Sequence, residues 1–350
     1  MSEQREEKKK IRISRSLLLT LIFGSFGLGA FVGAGTLGLF APVQADKGDS
    51  SVEIREGEFK FIRASQDPGK KLEGHPSRKE LKPFRYKVNA LIEEKIKKDD
   101  AIAISFYFRD LVNGNRFGIG ESDRFSTMSL LKLPLMMAYF KWAETNPLVL
   151  RRGLTFAGGA IQTEQKHIKP LAELAPGKQY IVNDLIFRMI AYDDNAAYSL
   201  LLANLPHGRL DKIFKDLNVE YDPLKMKEED SMSLSTFAGL YRVLFNASYL
   251  NEEMSEKALR YLSKASFRDG MASGVPSGIE IACKHGERTV TVAAGDEKEE
   301  AYQLHEIGII YHPNRPFLMG IVARGDDFEK LKKAIRDITR LVYDEVDQQS

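Results

Sequence analysis

Ser129 and Lys132 stand three residues apart at the head of "SLLKLPLMMAYF". At the start of a helix, positions i and i+3 share a face, so the amine can reach the hydroxyl. Desolvation beside an apolar run lowers a lysine pKa. The N-terminal end of a helix also favours negative charge developing nearby. Together these make an activated nucleophile with its base one turn away. A capping serine followed by a snorkelling lysine gives the same pattern. S-x-x-K by itself therefore does not decide between the two.

Two further clusters change the reading. Asp193-Asp194-Asn195 sits within "MIAYDDNAAYSLLL", at the head of an apolar helix. Lys284-His285-Gly286, followed by Glu287, lies in "IACKHGERT" on a late strand. The order is serine-lysine, acidic-amide, basic-glycine. With this order the chain resembles the penicillin-recognising serine hydrolases, most closely class A β-lactamases, whose set is S-x-x-K, S-D-N and K-T-G. The resemblance runs from about Ala101 to the C-terminus. It takes in "DLVNG", "PGKQYIVNDLIFRMI", "GVPSGIEIACKHG" and "IGIIYHPNRPFLMGIVARG".

The resemblance implies roles by position. Ser129 is the acylated nucleophile and Lys132 its base or proton relay. Asn195 binds the substrate's acyl side chain. Lys284 binds the substrate carboxylate, aided by His285 and Gly286. The backbone amides of Ser129 and Glu287 form the oxyanion hole. The implied substrate is a β-lactam or a D-alanyl peptide of the peptidoglycan stem.

Two departures bear on the chemistry. Asp193 stands where the S-D-N serine normally relays a proton to the leaving nitrogen, so it joins the catalytic set in an altered form. If ionised between Lys132 and Lys284, it keeps both amines charged. It serves as an acid only if its pKa is strongly raised. The deacylating glutamate of an E-x-x-L-N loop is also missing between Asn195 and Lys284. The acidic run "KMKEED" offers Glu228 and Glu229, with Glu220 earlier, and a solvated charged loop explains them as well. Slow deacylation is the expectation. A catalytically impaired wall-peptide binding or scaffolding domain is the alternative. Cys283, next to Lys284 on a strand, should point to the opposite face and be a core thiol.

Composition excludes other classes. The 51 basic and 49 acidic residues leave a net charge of +2, without the basic excess of a nucleic-acid binder. One cysteine rules out an internal disulfide. C-x-x-C and H-E-x-x-H patterns are absent, so no metal or other cofactor is expected. Residues 16–45 are 30 in number and uncharged, and a spanning helix needs about 20 apolar residues. Lysines and arginines precede the run. Residues 1–15 are thus expected in the cytoplasm, 16–45 as a transmembrane helix, and the rest outside. A signal peptide cleaved after Val43-Gln44-Ala45 fits the same stretch. Residues 46–80 read as an extracytoplasmic tether.

Positioning the three motifs falls to residues 81–350. Phe84, Val88, Leu91, Ile92 and Ile96 recur at helical spacing. "AIAISFYFRDLV", Asn113-Gly114 and "RFGIG" read as a hairpin. Helix is expected from about Ser129 to Ile190, with breaks at Pro147, Gly158 and Pro176. More helix follows over Asn195–Asn218 and Leu234–Ser263. "IEIACKHG", "TVTVAAG", "EIGIIYH" and "PFLMGIVARG" read as strands, and Phe328 to Val346 as an amphipathic helix. This segregation predicts an α+β fold: an antiparallel sheet flanked by helices with a helical subdomain, the first and last helices sharing one face.

Overall fold

The computed structural model describes residues 59–63, 82–159, 167–219, 232–294 and 297–350. The expected cytoplasmic segment and transmembrane helix lie outside these, as does most of the tether. Among the described residues no helix is long and apolar enough to cross a membrane.

In chain order the elements are α1 (Arg85–Lys97), β1 (Ala103–Asp110), β2 (Arg116–Ile119), β3 (Arg124–Phe125), a 3-10 turn (Met128–Leu131) and α2 (Lys132–Ala143). There follow β4 (Gly153–Thr155), β5 (Gln179–Ile181), α3 (Val182–Ala191), α4 (Asn195–Asn204), α5 (Arg209–Asp216), β6 (Met232–Ser233), α6 (Leu234–Phe245) and α7 (Glu252–Leu262). The chain closes with β7 (Ile281–Ala294), β8 (Glu297–Ile310), β9 (Phe317–Gly325) and α8 (Phe328–Asp347).

Five strands form one sheet in the order β2-β1-β9-β8-β7, antiparallel at every pairing. The β1–β2 connection turns at Gly114, whose φ of 81° suits glycine. Alternation along the strands divides the apolar side chains between two cores. Ala282, Ile307 and Ile309 face a core built with α2, α3, α6 and α7. Cys283, Leu304 and Ile310 face a second core built with α1 and α8. The first and last helices thus share a sheet face, as their spacing suggested. Ion pairs Lys87–Glu345 and Lys95–Asp337, both 2.5 Å, join them at the rim. α2 lies in the other core and is buried nearly all round, which is why its sequence shows little amphipathic stripe.

Two expectations need correction. "IEIACKHG" and "TVTVAAG" are one continuous strand, β7, rather than two. The stretch expected to be mostly helical between Ser129 and Ile190 contains a small antiparallel pair, with Gly153 opposite Ile181 and Thr155 opposite Gln179. Gly158, Gly159 and Gly177 there have φ of 90°, 127° and 78°, outside the helical region.

The segment expected as a tether is partly core. Phe61 and Ile62 are buried. The carboxylate of Glu256, itself fully buried, accepts the backbone N–H groups of Lys60, Phe61 and Ile62 at 2.9, 2.7 and 3.2 Å. Tyr311 donates its hydroxyl to the Phe61 carbonyl at 3.0 Å. A buried carboxylate needs such donors, and these three come from a chain segment about 195 residues away.

Candidate active site

The three motifs converge. Ser129 lies in the 3-10 turn, which packs against β7, and the Lys132 N–H donates to the Ser129 carbonyl. In a 3-10 turn residues i and i+3 eclipse, which puts Lys132 on the same side of the turn as Ser129, with its amine on Asp193. The expected α-helical start is thus a tighter turn. Buried Leu130 and Leu133 hold the turn in the core. Pro134 is tolerated because the first turn of α2 has no intrahelical partner for its N–H.

Asp193 joins α3 to α4. Its φ is 60°, a left-handed conformation that breaks the helix and that aspartate adopts more readily than most residues. Asp194 then caps α4, accepting the N–H groups of Ala196 and Ala197 at 2.9 and 3.0 Å. Asn195 is the first helical residue and is half-buried.

The Asp193 carboxylate is the hub. One oxygen, Oδ1, accepts from Lys132 Nζ at 2.5 Å and from Lys284 Nζ at 2.7 Å. The other, Oδ2, lies 3.3 Å from His285 Nε2. Lys132 Nζ also donates to the Asp193 carbonyl at 3.0 Å, and Lys284 Nζ to the His285 carbonyl at 3.2 Å. Relative exposure is 9% for Ser129, 2% for Lys132, 1% for Asp193 and 0% for Lys284. The cluster is therefore dry, and its electrostatics are strong.

Burial acts to raise the Asp193 pKa, but the ammonium groups of Lys284 and Lys132, with His285, outweigh it and hold the carboxyl well below its usual range. A raised pKa, which an acid role would need, is not what this surrounding produces. Burial lowers Lys132 to about 8; Asp193 opposes this and Lys284 reinforces it. Asp193 thus keeps Lys132 mostly charged at pH 7, though less firmly than an ordinary lysine. Three charges share one dry site. His285 is pushed down to about 4 by burial and by Lys284, so its imidazole is neutral at pH 7.

Gly286 sits over His305: a Cβ there would come 2.3 Å from His305 Nε2. β7 is an edge strand, so alternate N–H groups face away from β8. A backbone oxyanion donor at Glu287, as the resemblance implies, would need its N–H to be one of these. The Glu287 side chain has a different task. It accepts from the backbone N–H groups of His167 and Ile168 at 2.8 and 3.1 Å, and His167 Nδ1 lies 3.4 Å away. Leu171 N–H donates to the Tyr192 carbonyl at 3.0 Å. Residues 167–171 thus bridge the β7 wall of the site to the Asp193 wall.

Cys283 is a buried thiol in the second core, with its pKa pushed up to about 12 by burial. Glu220, Glu228 and Glu229 lie outside the described residues. Glu256, the fully buried glutamate between the second and third motifs, is taken up by residues 60–62. Sequence reasoning missed two buried groups behind the third motif. His305 is held near 3 by burial first and by His285. Glu306, raised to about 8 by burial, accepts the Met271 N–H at 2.7 Å. Both interrupt an otherwise apolar strand, "LHEIGII", which was the available signal. No group of three or more His, Cys, Asp or Glu able to hold a metal occurs among the described residues.

An α+β domain with a serine, a depressed lysine and a basic-glycine edge strand around one dry cleft has the frame of a serine acyl-transfer enzyme. The sequence profile of the Beta-lactamase enzyme family matches residues 83–346, and the chain belongs to that family. No curated protein matches in sequence. The fold is similar to that of PBP-A at 19% identity and a TM-score of 0.61, covering 76% of this chain and 98% of that one. A mutant of PBP-A, solved as the acyl-enzyme complex with penicillin G, gives 19% and 0.59, covering 77% and 98%. A class A β-lactamase from Mycobacterium abscessus gives 18% and 0.58, covering 75% and 98%.

Proposed function

We propose that the domain is a serine hydrolase that forms an acyl-enzyme at Ser129 with β-lactams or D-alanyl peptides and deacylates slowly. The observation that carries this is the convergence of the three motifs: Lys132, one turn after Ser129, and Lys284 of β7 meet at Asp193 in one buried cluster, where burial lowers Lys132 to about 8. At neutral pH about a tenth of such a lysine is unprotonated, which is enough to take the serine proton. Asn195 and the β7 edge would hold the substrate. A mutant of PBP-A, a protein of this fold, is known as an acyl-enzyme complex with penicillin G, which supports acylation as the chemistry to test. The absence of a recognisable deacylating glutamate supports slow turnover. Incubation with a fluorescent penicillin, followed by peptide mapping, should place the adduct on Ser129 and lose it in Ser129→Ala. Label retained in that variant would remove Ser129 from the role.

One observation favours the second reading, a wall-peptide binding or scaffolding domain. Lys284, the residue implied to bind the substrate carboxylate, is fully buried and already paired with Asp193. Saturable binding of a D-alanyl peptide without any adduct, at every pH from 6 to 10, would support that alternative.

The domain is proposed to face outward from a membrane anchor at 16–45, on the charge asymmetry around that uncharged run. Full-length protein should pellet with membranes. A soluble extracytoplasmic form starting at Asp46 would establish cleavage instead.

A further inference from the structure

Beside the catalytic cluster lies a cavity of about 310 Å³. Its walls come from residues 167–171, from 266–269 and from the start of α8. All three walls are tied to the site. The Glu287 carboxylate holds His167 and Ile168, and the Tyr192 carbonyl holds Leu171. Ser266 N–H donates to the Ala191 carbonyl at 2.8 Å. Phe267, in the second wall, packs its ring 4.8 Å from that of His285, which approaches Asp193.

The lining is mixed. Ile168, Leu171, Phe267 and Phe328 are apolar, and Leu171 is 66% exposed. Lys169, Arg268 and Lys332 are cationic; Asp269 and Glu329 are anionic. Lys332 is neutralised by Glu329 at 2.7 Å and Asp269 at 3.3 Å. Lys169 and Arg268 are exposed and have no ion-pair partner among the described residues. The charged lining therefore sums to one positive charge, with Lys169 and Arg268 as the two cations outside any ion pair among the described residues, beside apolar side chains. Meanwhile the obvious cation for a ligand carboxylate is out of reach. To meet Lys284, a carboxylate would have to displace ionised Asp193 from two ammonium groups in a dry site.

We propose that this cavity is a carboxylate-binding subsite, in which Arg268 and Lys169 take the anionic end of a peptide or acyl ligand that has an apolar segment beside the charge. Arg268 supplies a planar fork that can hold a carboxylate with two hydrogen bonds, and Lys169 adds a point charge. Ile168, Leu171 and Phe267 receive the apolar part. That the ligand's reactive carbonyl lies at Ser129 rests on the acyl-transfer reading above; the subsite itself does not need it.

The test uses phenylacetate and its uncharged analogue phenylacetamide, titrated into the full-length protein in detergent and followed by ligand-observed NMR. The carboxylate should bind about fivefold more tightly than the amide, the size expected of a partly exposed ion pair. The preference should shrink with added salt and vanish in Arg268→Gln/Lys169→Gln. Both side chains are exposed, so the variant should keep the fold, which its melting temperature would check. Ser129→Ala should bind phenylacetate as the wild type does. Equal binding of the two probes, or an unchanged preference in the double variant, overturns the subsite. Loss of penicillin labelling at Ser129 with phenylacetate binding intact would instead sink the acyl-transfer reading and leave the subsite standing.

Discussion

Replacing Asp193 with serine removes the one negative charge that two buried ammonium groups share. Lys132 and Lys284 stand 2.5 and 2.7 Å from the same carboxylate oxygen. Opposite charges about 4 Å apart at an effective dielectric of 20 attract by about 4 kcal/mol, or about three pKa units. Asp193 is the main group holding the Lys132 proton against burial. Without it, Lys284 still repels that proton. Lys132 should therefore fall below its present value of about 8. A drop of only two units would raise its neutral fraction at pH 7 from about one tenth to about nine tenths. Acylation by a penicillin should then be about tenfold faster in Asp193→Ser at pH 7, with the gain vanishing near pH 9, where Lys132 is already neutral in both proteins. Acid should not imitate the mutation, because Asp193 is held well below its usual range and stays ionised at pH 5. Stopped-flow acylation rates from pH 5 to 9 test this. If Asp193→Ser is no faster at pH 7, the carboxylate is not an inhibitory charge. It would then be a working part of the site for a substrate unlike a β-lactam.

Other outcomes follow from the same geometry. Lys132→Ala should lose acylation by at least about 100-fold, the usual scale of a lost general base, with the fold intact by circular dichroism; a loss under tenfold removes its role. β-Lactam hydrolysis should show a burst and then little turnover in pre-steady-state kinetics, and sustained rapid hydrolysis would point to Glu220, Glu228 or Glu229 as the deacylating base. Glu256→Ala should cost about 2–5 kcal/mol in urea unfolding, since it leaves three backbone N–H groups without their acceptor; a change under about 0.5 kcal/mol would show that residues 60–62 are not held by it. The folded pKa of Glu306 is raised, so its contribution is fully present below the unfolded value of 4.5 and is lost as pH rises through about 8. Its part of the stability should thus fall by at most about 1.4 kcal/mol per pH unit in that window, and Glu306→Gln should flatten the curve; parallel curves for the two proteins would refute this.

Much of the site was legible because its chemistry is local. Ser129 and Lys132 are linked by spacing alone, and the cluster Asp193-Asp194-Asn195 was readable at the head of an apolar helix, α4. The sheet and the pairing of the first with the last helix followed from periodicity. What failed was set by long-range partners. Nothing near Phe61 in sequence signals that Glu256 will receive its N–H. The depressed Lys132 pKa depends on burial and on the opposing charges of Asp193 and Lys284, whose balance no sequence distance encodes. Glu287 was assigned for its backbone, but its side chain holds residues 167–168, a contact spanning about 120 residues. The β4–β5 pair was hidden because three-residue strands carry too few positions for an alternation to register.

The central claim is that Lys132 gives up its proton near neutral pH beside Ser129, despite its bond to Asp193. The most direct measurement is the titration of lysine side-chain resonances by 13C NMR on selectively labelled protein. The Lys132 signal can be assigned by its loss in Lys132→Arg. The account predicts a midpoint near 8. A Lys132 signal that stays protonated to pH 10 or beyond would contradict it, because Asp193 would then hold the base inert.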